Sequence, residues 1–302
     1  MKAKFMGAIY GSIIGDIVGS FNEFTIPGTK IRGRGTRKIT NKMLHRERNV
    51  FGYKFGWFTD DTTMSLVLMD SLVNYDEVHE QKMMKDFRAW WQNGYMSSSD
   101  ECFDIGGQTL RSIKKYFDIP YNKSPLHETR PDGNGALMRI FPIGLRFYTD
   151  HQEMVKQTIR AHDLTHEAST LSLQRCLLLN RAIGACLRGE SKEEILELLD
   201  YKSEMDENVS TYGYVVDTYN AVVHTFKKFD NLMDGIVYLA EMGDDSDTCA
   251  AIYGALAGAF YGVSQVPQWM MNEIRRKTLI RNLAENLYGR TVKMSGKGVK
   301  NV

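Results

Sequence analysis

Residues 58–65 read FTDDTTMS, with two adjacent carboxylates, Asp60 and Asp61, between threonines at the head of an apolar run. The spacing of that run predicts a helix over 61–75. Thr and Asp are favoured N-cap residues, because their oxygens accept the unpaired amide hydrogens of a first helical turn. One cap accounts for one such residue, so the second acid is surplus. The same surplus recurs in MGDDSDTCAA, residues 242–251, which opens a second apolar run predicted helical over 248–263. If the two helix starts converge, Asp60, Asp61, Asp245 and Asp247 repel in pairs by roughly 4 kcal/mol at an effective dielectric near 20. A helix N-terminus returns only about 0.3 to 1 kcal/mol per anion. Either the acids stay apart or divalent cations hold them together. An all-oxygen donor set favours Mg²⁺, Mn²⁺ or Ca²⁺ over zinc, and neither run has the frame of an EF-hand loop.

Helical periodicity continues over 81–93, 165–188, 191–200, 213–228 and 231–241, while two-residue alternation is scarce, so the chain reads as all-α. Two predicted helices carry glycine at every fourth position: Gly7, Gly11, Gly15 and Gly19 in one, Gly254, Gly258 and Gly262 in the other. Glycine costs about 1 kcal/mol against alanine inside a helix, so a row of it on one face predicts close backbone approach in a packed centre. Three of the six prolines fall in DIPYNKSPLHETRPDGNG, a loop rather than a domain boundary. Residues 1–290 are expected to form one domain, followed by a basic, frayed tail over 291–302 that already begins to loosen at Tyr288.

With 302 residues, 43% hydrophobic and 25% charged, the chain is ordinary for a soluble globular protein, and its mean hydropathy of −0.35 argues against a membrane protein. Asp16 and frequent glycine interrupt the apolar N-terminal run, which makes a poor signal peptide. The four cysteines lack zinc or disulfide spacing, so reduced thiols and a cytoplasmic location are expected. The formal charge of +1 conceals a basic segment at 28–54, which holds Lys30, Arg32, Arg34, Arg37, Lys38, Lys42, Arg46, Arg48 and Lys54 against Glu47. Elsewhere the chain has 29 basic and 36 acidic residues.

Other polar residues stand among glycines in GDIVGSFNEF (15–24), FDIGGQT (103–109) and PDGNGALMR (131–139), and two histidines in AHDLTHEAS (161–169). Each is weak alone. Asn134 between two glycines fits a plain turn as well as a phosphate cradle, and His162 and His166 on one helix face fit a core as well as a site.

In chain order, GDIVGSFNEF, WFTDDT, DIGGQT, GNGALMRI, LTH, GYVVDT and GDDSDTCAAIYGALAGA together resemble the motif series of the ADP-ribosylglycohydrolase family, over about residues 5–262. The resemblance implies a compact orthogonal multi-helix bundle around a central two-metal site, and a hydrolase that cleaves the glycosidic bond between ADP-ribose and an acceptor. Thr59, Asp60, Asp61, Asp245, Asp247 and Thr248 match the family's ligands to two Mg²⁺ or Mn²⁺. Glu23 and Asp104 match its catalytic acids. Gly133, Asn134 and Gly135 match the cradle for the diphosphate or distal ribose, His166 the pocket wall, and Tyr212 or Tyr214 an aromatic that stacks on adenine. The expected partner is an ADP-ribose-modified substrate, with no membrane, and the expected state is a monomer.

Three positions depart from the family pattern. Gly243-Asp244-Asp245 replaces a common Gly-Gly-Asp and adds a carboxylate. Ala168 and Ser169 follow LTH where the family often has a His or Asn and then Pro. The basic segment occupies a flap of variable length. Two alternatives follow: a fold that retains ADP-ribose binding or a structural role without catalysis, and a hydrolase whose basic segment recruits ADP-ribosylated nucleic acid, against the simpler reading of a solvated loop.

Overall fold

Wherever a Cβ is added to the first glycine row, it meets backbone. In this computed structural model, which describes residues 1–25, 36–120 and 131–298, helix α1 (Lys2–Gly19) lies antiparallel against α12 (Ser246–Tyr261). A Cβ on Gly7 would stand 2.1 Å from the Gly258 carbonyl oxygen, one on Gly11 2.3 Å from that of Gly254, and one on Gly15 2.0 Å from that of Ala250. At the end of the seam, a Cβ on Gly19 would fall 2.3 Å from Asp247 Cα. The predicted close approach is therefore real, and its partner is the other glycine helix. Gly262 differs from the expectation: it is the residue after α12, in a left-handed conformation (φ +89°) that stops the helix.

Both helices of the pair are buried on nearly every side, as helices apolar all round must be. Around them stand α3 (Asp60–Tyr75), α4 (Glu80–Asn93), α5 (Gly107–Tyr116), α6 (Phe141–Arg146), α7 (His151–His166), α8 (Thr170–Arg188), α9 (Lys192–Leu198), α10 (Val215–Lys228), α11 (Leu232–Met242) and α14 (Lys277–Gly298), with the short α2 (Asn41–Arg46) and α13 (Gln268–Glu273). Helices α8, α10 and α11 pack on α12, and α14 packs on α3. Among the described residues there is no strand, only one isolated bridge between Gly133 and Tyr214, so the all-α expectation holds.

Two regions correct the sequence reading. The run 165–188 is two helices: α7 ends at His166, and Ser169 caps α8 by accepting from the Ser172 amide at 3.0 Å. Helix α7 itself escapes apolar periodicity because its buried face is largely polar, with Gln157, Thr158, His162, Thr165 and His166. The expected frayed tail is helix as far as Gly298; Thr291 is buried, and Arg290 donates to Asp76 at 2.5 Å. Residues 299–302 of that tail lie outside the described residues, as do Lys30, Arg32 and Arg34 of the basic segment.

The seam predicts opposite outcomes for one substitution at two sites. Gly15→Ala forces α1 from α12 and should cost about 3 kcal/mol or more, whereas Gly289→Ala, with nothing within 4 Å of the added methyl, should stabilise by about 0.5 to 1 kcal/mol. Urea denaturation of both variants checks this; a neutral Gly15→Ala contradicts the packing.

Candidate active site

The head of α3 shows why the surplus acids are free. Its N-cap residue Thr59 makes no side-chain cap bond, and Asp16, from the middle of α1, takes that role. One carboxylate oxygen of Asp16 accepts from the Thr59 amide at 2.9 Å and the Thr59 hydroxyl at 3.0 Å; the other accepts from the Thr62 amide at 3.0 Å and the Thr62 hydroxyl at 2.5 Å. Burial pushes the Asp16 carboxyl up to about 6, against the pull of these bonds. Sequence reading missed Asp16, because its partners lie more than forty residues away. With α3 capped from outside, Asp60 and Asp61 are released to face the head of α12. The N-cap of α12, Asp245, likewise makes no cap bond of its own.

There the structure brings the acids together. The Thr59 hydroxyl lies 3.2 Å from Asp61 Oδ2 and 3.2 Å from Asp247 Oδ2, and the Thr248 hydroxyl 3.3 Å from Asp61 Oδ2. A hydroxyl has one hydrogen, so Thr59 cannot satisfy Asp16, Asp61 and Asp247 together. Glu23, four residues beyond α1, and Asp104, in the loop before α5, place carboxylate oxygens within 4.8 Å of one another and of Asp247. Asp104 sits in a left-handed conformation (φ +60°), and Asp60 accepts the Gly106 amide of the same loop. Glu23 Oε2, Asp61 Oδ1 and Asp247 Oδ1 are buried with no partner. Burial first, and then the neighbouring acids, raise Glu23, Asp60, Asp61, Asp104 and Asp247 well above the ordinary carboxylate range. Orphaned, buried oxygens in an all-oxygen cluster fit a hard divalent cation.

A cleft of about 840 Å³ opens over this floor. Asn134 Nδ2 donates to Asp245 Oδ2 at 2.7 Å and to the Thr218 hydroxyl at 2.9 Å, so its amide nitrogen ties an acid to α10 and is not free for a ligand. His166 is buried at the cleft wall, with burial holding it neutral. Tyr212 is 63% exposed at the rim and Tyr214 half-buried beside it. His162 is a core residue, bonded to Asp163 at 2.8 Å.

The departures from the family pattern also acquire positions. Ser169 donates to Asp132 at 2.5 Å, and Asp132 accepts the Val215 amide through its carbonyl at 2.9 Å, which anchors the start of the 132–135 loop. The backbones of Phe24 and Thr25 bind that of Asp244: Phe24 N–H donates to the Asp244 carbonyl, and Asp244 N–H to that of Thr25, both at 2.7 Å. Phe24 and Asp244 therefore stand together at the cleft, with Phe24 54% exposed. Within the basic segment, Arg37 pairs with Glu47 at 3.0 Å and Arg48 donates to the Gly52 carbonyl at 2.7 Å. Gln108 was also missed: its amide donates to the Pro131 carbonyl at 2.9 Å and leaves Oε1 buried without a partner at the cleft.

Residues 1–296 match the model of the ADP-ribosylglycohydrolase family, and the chain belongs to that family. It is an ADP-ribosylglycohydrolase, a hydrolase of the glycosidic bond to ADP-ribose. It is 29% identical to the ADP-ribosylarginine hydrolase Tri1 of Serratia proteamaculans, over 95% of this chain and 79% of that protein. It is 28% identical to the ADP-ribosyl-[dinitrogen reductase] glycohydrolase of Rhodospirillum rubrum over 91% of each, and 26% identical to human ADP-ribosylhydrolase ARH3 over 88% and 87%. The solved structure of an ADP-ribosylglycohydrolase-related protein complex shares the fold, with a TM-score of 0.76 over 96% of this chain and 98% of that one, at 24% identity.

The raised carboxyls give a pH prediction. A group whose folded pKa lies above its unfolded value of about 4 stabilises fully below that value, and the stabilisation is lost as pH rises through the folded pKa. Metal competes with those protons and restores the loss. The gain in Tm from Mg²⁺ or Mn²⁺ over EDTA should therefore grow from about pH 5 to pH 8. A gain that shrinks or stays flat over that interval speaks against the acid cluster as the cation site.

Proposed function

We propose that this protein removes ADP-ribose from arginine side chains in a reaction that needs two Mg²⁺ or Mn²⁺. The observation that carries the reading is the cluster of Glu23 and Asp247, both buried, with the half-buried Asp104, of which Glu23 and Asp104 line the cleft. Thr59, Asp60, Asp61, Asp245, Asp247 and Thr248 would hold the cations, as the motif match expects. Bound there, divalent ions orient ribose hydroxyls and make hydroxide available near neutral pH.

The chain's own residues supply the rest. Glycosidic cleavage passes through an oxocarbenium-like state and commonly uses two carboxyl groups, one to hand a proton to the leaving group and one to act on water. Glu23 and Asp104 suit those roles, because burial first and then neighbouring acids raise both carboxyls well above the ordinary carboxylate range, which favours a proton held there for transfer. Among the residues that line the cleft, the amides of Gly133 and Gly135 would meet the diphosphate, His166 would donate from the wall, and Tyr212 or Tyr214 would stack on adenine. Asp244 and Phe24 at the cleft favour a guanidinium acceptor, since a carboxylate pairs with arginine in bidentate fashion and an aromatic face attracts its charge. Two of the relatives, from Serratia proteamaculans and Pseudomonas putida, are ADP-ribosylarginine hydrolases, which points to the same acceptor. We place the enzyme in the cytoplasm, acting as one domain and a monomer; four free cysteines, three of them buried, accord with a reducing compartment.

Purified protein incubated with arginine-, serine- and nucleic-acid-linked ADP-ribose should release ADP-ribose from the arginine linkage, and EDTA should stop it. Glu23→Gln and Asp247→Asn should each lower turnover by at least about 100-fold, and Asp244→Asn should raise KM about tenfold for the arginine linkage alone. Binding of ADP-ribose without release from any linkage would favour the non-catalytic alternative, and release from the nucleic-acid linkage would restore the basic segment as a recruiter.

A further inference from the structure

Arg139 is wholly buried, and among the described residues no carboxylate is hydrogen-bonded to it. Its guanidinium donates to the carbonyls of Gly135 and Ala161, the latter at 3.2 Å, and at 2.8 Å to the Thr165 hydroxyl. That same hydroxyl lies 2.7 Å from His166 Nδ1. Arginine can only donate. The Thr165 oxygen therefore accepts from Arg139, and its own hydrogen has one acceptor among its contacts, His166 Nδ1. An imidazole that accepts at Nδ1 carries its hydrogen at Nε2. Burial and the nearby Arg139 charge also disfavour a second proton on the ring. The Nε2 edge faces the glycine loop: a Cβ on Gly133 would lie 3.6 Å from His166 Nε2, and one on Gly135 3.3 Å from Cε1.

We infer that Arg139 and Thr165 are positioning residues that lock His166 as a neutral Nε2–H donor aimed at an oxygen of the ligand held by the Gly133–Gly135 loop. Arg139 grips both halves of that arrangement, since it also binds the Gly135 carbonyl. The donor is thus fixed in direction before ligand arrives, and the proton it offers does not depend on charging the ring. Its chemistry suits a phosphate or ribose oxygen. Only the identity of that ligand, ADP-ribose, rests on the function proposed above.

Long-range ¹H–¹⁵N spectra of histidine-labelled protein without ligand read the tautomer directly, with the His166 signals assigned through His166→Gln. Wild type should show Nδ1 unprotonated and Nε2 protonated. Thr165→Val removes the hydroxyl but keeps the shape, and should give mixed tautomers and bind ADP-ribose about tenfold more weakly, the loss of one directed bond. Thr165→Ser should restore both. Arg139→Gln, which can accept as well as donate, should also mix the tautomers; if it does not fold, the Thr165 pair decides. A protonated ring or an Nδ1–H tautomer in wild type overturns the inference, as does unchanged ADP-ribose binding in a Thr165→Val protein with mixed tautomers. A wild type with the expected tautomer that binds no ADP-ribose upholds the relay and overturns the assigned ligand instead.

Discussion

The contact on which the rest depends is the glycine seam between α1 and α12. Four glycines on one helix let its backbone touch carbonyls of the other, so the axial register of the pair admits little slip. Register is what the site needs. The seam ends where Gly19 meets Asp247, and the chain then turns through Phe21 and Asn22 to put Glu23 against that same aspartate. Asn22 holds this turn, donating to the carbonyls of Ala240 and Arg37 at 2.9 and 2.7 Å. A bulkier seam would move the two halves of the acid cluster apart as rigid bodies.

The same helix supplies Asp16, so α1 fixes the head of α3 as well as that of α12. The cap on α3 belongs to Asp16, and three oxygens of the cluster, Glu23 Oε2, Asp61 Oδ1 and Asp247 Oδ1, are left without donors. This division explains a costly arrangement. Four acids with raised carboxyls, Glu23, Asp60, Asp61 and Asp247, sit buried near one another with the half-buried Asp104 beside them, and helix dipoles are too weak to hold them there. A divalent cation bound there would supply the missing charge. Around the cleft, Asn134 restrains Asp245 while Arg139 binds the Gly135 carbonyl and the Thr165 hydroxyl beside His166, so that one wall meets the acid cluster and the other the glycine loop.

The fold class was legible because helical periodicity and the two glycine rows are local patterns with one physical reading. The acids were legible because FTDDT and DDSDT carry more carboxylate than a cap can use. Asp16 was not, since a lone acid in an apolar helix gives no hint of a partner more than forty residues on. Arg139 and Thr165 were hidden although both stand inside quoted motifs, because neither motif shows that the two side chains meet across 26 residues. Helix α7 was hidden because it buries hydrogen-bonded polar residues in place of an apolar stripe. The end of α14 misled in the opposite sense: Arg290 and Lys293 look like a solvated tail, yet Leu283, Leu287 and Thr291 are buried on one face.

The claim that the buried acids are a cation site is tested most directly by counting protons. Titrating Mn²⁺ into the protein near pH 7, in two buffers of different ionisation enthalpy, gives the affinity and the protons released together. Carboxyls held above their ordinary range must shed protons to ligate metal, so saturable binding with release of at least about one proton is predicted. Binding without proton release, or no saturable binding, would contradict the account.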